Sequence, residues 1–329
     1  MFSQKSHLDN TSAISYAIVV CTKNRPSEIS SFLRNLTMQE SQFLDSVVVV
    51  DGSTDSNFKS EIKLQEEIFL LKSNITFLTT NGGKPTALNV SLKYLRESGM
   101  LLDAVVFLDD DISFRLEDLE KGIKYLKNND ICGLSPVIVN EGETCSRFQN
   151  RNRESIFPFR KSGVLTKAGD NRWFNYRNIH KNWLDSEWLP GGAVIYDWSK
   201  IKNLSFSEQL ENPDLLGYAL GDDVDFSIKA SAYGKLGCLH EIQVIHSSPL
   251  SSYRNPNKFA LARAKWKAYL VFQYPLKFHT HRVVLMEVSR AIWHGAFKGK
   301  PKKSYLNLSI FLSEFMRQTK LLNSTDSRN

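Results

Sequence analysis

Three adjacent carboxylates, Asp109-Asp110-Asp111, follow the apolar run Ala104-Val105-Val106-Phe107-Leu108. That run reads as a buried strand, so the acids stand at its carboxyl end. In an alternating α/β chain this end faces the crevice where ligands bind. Neighbouring carboxylates repel one another and stay ionised only with positive charge between them. A divalent cation would supply that charge, since Mg²⁺ and Mn²⁺ favour carboxylate oxygen and are commonly shared with a substrate's phosphates. The competing reading is a solvated acidic turn before the helix near Leu116. A second acidic group, Asp222-Asp223-Val224-Asp225, follows Gly221 and opens a helix ending near Gly234. Acids there serve either as a general base or as caps of the helix.

Strand-like runs over residues 16–21, 47–51, 75–78, 104–109 and 131–139 alternate with helical patterns near 27–38, 56–71, 86–98 and 116–127. Such alternation predicts right-handed crossovers and a mainly parallel, buried sheet. Residues 140–187 break the rhythm with Arg147, Arg151, Arg153, Arg160, Trp173, Phe174, Tyr176 and Trp183, a mix that suits binding better than core packing. A Gly turn at Gly191-Gly192 enters a strand, and a last strand runs over 236–246 to His246. Helical patterns near 260–274, 283–297 and 306–322 complete the chain.

Three further turns stand at strand ends: Thr22-Lys23-Asn24-Arg25-Pro26, Asp51-Gly52-Ser53-Thr54-Asp55 and Asn81-Gly82-Gly83-Lys84-Pro85-Thr86-Ala87-Leu88-Asn89. With the Asp triplet and the Asp222-Asp223 pair, they make five ordered motifs over about residues 16–254. In this the chain resembles the inverting family 2 glycosyltransferases of the GT-A fold, of the bacterial type that builds polysaccharides and glycolipids. The resemblance implies an α/β Rossmann-like catalytic domain over residues 12–255, with a mixed, mainly parallel sheet, followed by a helical region over 256–329. It implies transfer of a sugar from a nucleotide-sugar donor to a hydroxyl of a glycan or lipid-linked glycan, with Mg²⁺ or Mn²⁺.

Residue by residue, the resemblance assigns Asp51 and Thr22 to the donor base, with Asn24 and Arg25 next in line. Turn duty is the alternative for Asp51, and for Asp55 it is the preferred reading. Lys84 is a base or phosphate contact, aided by the N-terminus of its helix. Asp111 binds the metal, while Asp109 faces the ribose or reaches the metal through water, and Asp110 lies in the same donor site. His246 matches a histidine that often completes the metal site, and Arg254 would clamp a phosphate; each has an ordinary structural alternative. Inversion needs one base and no covalent nucleophile. Asp223 matches that base, whereas Asp222 stands where Glu is usual. Asp225 is read as a local cap or pair. Gly191 and Gly192 let backbone approach the donor sugar, and Trp188 stacks on a sugar or belongs to the core.

The formal charge of +7 is unevenly distributed: residues 251–329 hold 15 Lys/Arg and 3 Asp/Glu, a net of +12, against −5 for residues 1–250. A basic, amphipathic C-terminal region suits an anionic membrane surface or forms a basic lid over the catalytic domain. Nucleic acid is not expected, because no recognised motif accompanies the charge. Cys21, Cys132, Cys145 and Cys238 show no Cys-x-x-Cys pairing and read as reduced thiols. Without signal-peptide architecture or a long apolar stretch, the expected location is cytoplasmic, peripheral on the membrane at most. Val49 stands where a haloacid-dehalogenase phosphatase needs its nucleophilic Asp, and Thr22–Pro26 lacks a nucleotidyltransferase's Gly-rich loop. A catalytically silent glycan-binding or membrane-surface scaffold of the same fold is the non-enzyme alternative.

Overall fold

The computed structural model describes residues 14–58, 61, 74–141, 162–172, 182–212, 218–247, 256–297 and 301–326. Most of the helical pattern near 56–71, all of Arg147, Arg151, Arg153, Arg160, Trp173, Phe174 and Tyr176, and both Cys145 and Arg254 lie outside them.

The frame is a nine-stranded sheet. Its strands are β1 (Tyr16–Thr22), β2 (Leu44–Asp51), β3 (Ile75–Thr79), β4 (Ala104–Asp109), β5 (Ile112–Ser113), β6 (Ile131–Asn140), β7 (Trp183–Ser186), β8 (Ala193–Asp197) and β11 (Lys235–His246). A separate hairpin pairs β9 (Glu211–Asn212) with β10 (Tyr218–Ala219). The sheet order is β3-β2-β1-β4-β8-β6-β11-β5, with β7 also on β11. β1, β2, β3, β4, β6 and β11 run one way, and β5, β7 and β8 oppose them. Runs such as Val47-Val48-Val49-Val50 are buried on both faces, as β-branched residues in a covered parallel sheet should be.

Helices α1 (Pro26–Thr37) and α3 (Leu116–Asn128) bury Ile29, Leu33, Leu119 and Ile123 against one face. The other face takes α2 (Lys84–Glu97), the single turn α4 (Trp198–Ile201) and α5 (Asp222–Ala230), through Leu88, Leu92, Trp198 and Phe226. Proline in the first turn of α1 and α2 starts each helix where its missing N–H costs nothing. Beyond lie α6 (Pro256–Gln273), α7 (Thr280–Phe297) and α8 (Pro301–Asp326). Trp266, Tyr269 and Leu270 of α6 share a core with Trp188 and Val224, while Phe311 and Phe315 of α8 pack with Ala264, Ala268 and Val283. Trp188 is therefore core.

Two features of the topology build the site. The chain leaves β1 for β2 and β3, then returns to its other side as β4, so the carboxyl ends of β1 and β4 meet at a switch point. Cys21 pairs with Asp109 there, which sets the turn at residues 22–25 beside the Asp triplet. The two-residue β5 then runs against the end of β11 with His246 opposite Ile112, carrying the imidazole next to Asp111.

Candidate active site

At the end of β4 the three acids diverge. Asp111 lies under His246, with 3.2 Å from its Oδ1 to the imidazole Nε2. That Oδ1 is buried and has no partner other than this imidazole. His246 Nδ1 lies 3.3 Å from Asn140 Oδ1, which orients the ring with Nε2 towards the acid. Donor atoms of Asp109, Asp111 and His246 all lie within 4.8 Å of one another. Two carboxylates and an imidazole, one buried oxygen answered only by that imidazole, fit a divalent cation.

Arg25 neutralises the same cluster from β1's turn. Its Nη1 donates to Asp110 Oδ1 at 2.6 Å and its Nη2 to Asp111 Oδ2 at 2.8 Å. Thr22 Oγ1 donates to Asp110 Oδ2 at 2.7 Å. Burial pushes the Asp110 carboxyl up to about 7 against the pull of Arg25 and Thr22. Burial acts on Asp111 too, but His246 and Arg25 hold its carboxyl well below the usual range. The Asp111 carboxylate in turn raises the His246 imidazole. Thr22 and Arg25, read from sequence as donor contacts, thus have side chains engaged with the acids.

Asn24 likewise has a structural task. It adopts φ +56°, its N–H donates to Ser53 Oγ at 2.8 Å, and its Oδ1 accepts from Thr54 N at 3.1 Å. The Asp51 Oδ1 accepts from Ser53 N at 2.8 Å, an Asx turn of the kind weighed for it. Asp55 accepts from Asn57 N in the same manner.

On the other side of Asp109 lies Lys84. Its ammonium pairs with Asp109 Oδ1 at 2.5 Å and donates to Gly191 O at 3.2 Å. Burial opposes that charge, but Asp109 and Asp222 more than offset it and hold Lys84 cationic. Gly191 N donates at 3.2 Å to Asp223 Oδ2, and Val224 N donates at 2.8 Å to Asp223 Oδ1. A Cβ on Gly191 would stand 3.0 Å from Asp223 Cβ, so a side chain there would push the acid aside. Gly192 offers its carbonyl to Asp109 N at 2.9 Å. Asp109, Lys84, Gly191, Asp222 and Asp223 line one pocket, floored by Phe107, Tyr196, Phe206 and Phe226. Burial, together with the facing acids, raises both Asp222 and Asp223 above the ordinary carboxyl range.

Several residues at this site carried no sequence signal. Glu211 accepts from Gly83 N at 2.9 Å and Thr86 N at 2.8 Å, so a carboxylate already caps the α2 N-terminus expected to help bind phosphate. Asp225 makes the expected local pair, with Lys229, and also reaches well beyond its own helix. Fully buried, it accepts from Tyr274 Oη (2.7 Å), Tyr269 Oη (3.0 Å) and Ser207 Oγ (2.7 Å) and pairs with Lys229 (2.7 Å). Gly221, at φ +86°, lies where a Cβ would come within 2.0 Å of Trp266 Nε1. The helix bearing Asp223 is therefore clamped by α6 at both Gly221 and Asp225. Cys21 lines the pocket rather than being wholly buried, and burial raises its thiol to about 12. Cys132 and Cys238 are buried free thiols.

A switch-point α/β sheet with acids on a strand end and a second acidic helix across the pocket is the arrangement of the GT-A fold. The family model for Glycosyl transferase family 2 matches residues 17–183, and the chain belongs to that family. Among solved structures, GalNAc-T7 with UDP, GalNAc and Mn²⁺ is similar at 13% identity and TM-score 0.56, over 81% of this chain and 51% of that one. The mannosyltransferase PcManGT from Pyrobaculum calidifontis, in complex with GDP-Man and Mn²⁺, is similar at 16% identity and TM-score 0.52, over 97% and 81%. At such identities the likeness is one of fold. This chain spans about half the length of GalNAc-T7. No curated protein matches the sequence.

Proposed function

We propose that this glycosyltransferase moves a sugar, with inversion, from a nucleotide-sugar donor to a hydroxyl of a glycan or lipid-linked glycan. Asp109, Asp111 and His246 would hold Mg²⁺ or Mn²⁺; when bound, the ion supplies Lewis-acid charge against the donor's diphosphate. Lys84 adds a fixed cation beside Asp109, and Thr22, Asn24, Arg25, Asp51, Asp110, Gly192 and Asp222 shape the donor side. The observation that carries the reading is the contact path from Asp109 through Lys84 and Gly191 to Asp223 around one pocket.

Asp223 acts as the base. It takes the proton of the acceptor hydroxyl as that oxygen bonds to the anomeric carbon, and the bond to the diphosphate breaks with its electron pair leaving on phosphate oxygen. Two backbone N–H groups aim the carboxylate, and burial raises its proton affinity above that of a free carboxylate. Glycosyltransferases in solved complexes, GalNAc-T7 with UDP and Mn²⁺ and PcManGT with GDP-Man and Mn²⁺, support a nucleotide-linked donor. A panel of nucleotide sugars assayed for nucleoside diphosphate release, with and without Mn²⁺, tests the reading. Metal-dependent release from at least one donor is expected; release from none would support a silent scaffold instead.

A further inference from the structure

The helix α7 has two unlike faces. Val283, Glu287 and Ala291 are buried, with Arg263 of α6 at 2.7 Å and Arg290 at 2.6 Å on the Glu287 carboxylate. Elsewhere on the helix Leu285 (60% exposed), Met286 (38%), Ile292 (55%) and Trp293 (57%) face out. They fall seven residues apart in two pairs, about two helical turns, and so form one stripe. A contiguous apolar stripe of large side chains in water marks a surface that something covers.

Charge decides the occupant. Of the three acids in residues 251–329, Glu287 is inside the ion cluster and Glu314 is held by Arg317 at 2.6 Å. His281 and Arg282 are exposed at the start of α7, and Lys298, Lys300, Lys302 and Lys303 follow it in sequence. A second copy of this region would bring its own net +12 against the same charge, whereas an anionic bilayer brings the opposite sign. Among the described residues no helix is long and apolar enough to cross a membrane, so contact would be along the surface.

We infer that α7 docks on an anionic lipid bilayer, with Leu285, Met286, Ile292 and Trp293 entering the acyl boundary and His281 and Arg282 meeting lipid phosphates. This does not rest on the sugar-transfer reading, because none of these residues lines the catalytic pocket. Flotation of the whole chain with phosphatidylglycerol-containing vesicles, against pure phosphatidylcholine vesicles, is the test. The wild type is expected to float with the anionic vesicles, and less well in high salt. The double variant Ile292→Glu/Trp293→Glu should bind at least about tenfold more weakly with its melting temperature and nucleoside diphosphate release unchanged. Should that variant fail to fold, Arg282→Glu alone serves, with a drop of about fivefold. Absence of wild-type flotation, or equal flotation of wild type and variant, overturns the inference. A wild-type dimer that the double variant splits, with no flotation by either, overturns it in favour of a second copy.

Discussion

In the cleft, Arg25 and Lys84 each meet carboxylates from a distant part of the chain, while Arg282, Arg317 and Lys320 in the C-terminal helices face water. Between the extremes lies a buried cluster in which Asp170 takes Lys267 (2.6 Å) and Arg290 (2.9 Å), and Glu287 takes Arg263 and Arg290. Exposed charge contributes a field and little else, because water and salt screen each pair. Buried charge must be answered group by group, and so it fixes position. The cleft uses this to hold the Asp triplet in place, and the basic half uses it to tie α6 and α7 to the loop that carries Asp170.

The largest effect should follow from Asp223→Asn, which keeps the shape and removes the proposed base. Turnover should fall by about 100- to 10,000-fold with donor affinity by calorimetry nearly unchanged. Wild-type turnover in that variant would move the base elsewhere. Arg25→Ala leaves Asp110 and Asp111 buried without their cation, and should destabilise the metal-free protein by about 3 kcal/mol in denaturant unfolding. Mn²⁺ should restore part of that loss, which a purely structural Arg25 would not allow.

The Asp222 carboxyl sharpens the contrast through pH. Its folded-state proton affinity is raised by burial and by Asp223. The stability it contributes is therefore full below the unfolded pKa of about 3.9 and is lost as pH rises through the higher folded value. Asp222→Asn should raise the melting temperature of the metal-free protein more at pH 8 than at pH 4. A gap independent of pH would contradict the assignment. At the small end, Arg317→Ala removes a two-bond i,i+3 pair between an exposed Arg317 and a half-buried Glu314 and should change stability by less than about 1 kcal/mol.

Much of this architecture was legible in local pattern. β4 spans Ala104–Asp109 as its apolar run implied, and β1, α1 and α3 match their periodic segments to within a residue or two. The acids were legible because carboxylates at strand ends are conspicuous by type. What escaped was long-range. No local signal announces that β8 inserts antiparallel between β4 and β6, or that β7 forms in the aromatic-rich loop. Glu211 caps a helix more than a hundred residues away, and Asp225 finds its partners on α6. Likewise Arg25 reads as a free cation on a loop until β1 and β4 are neighbours.

Asp111 and His246 are proposed to hold a cation facing the donor's diphosphate. Anomalous diffraction from a crystal grown with a donor nucleotide and Mn²⁺ tests it most directly. A manganese peak bonded to Asp111 and His246 and to a phosphate oxygen is expected. Clear density for nucleotide with no manganese at those two side chains would contradict it.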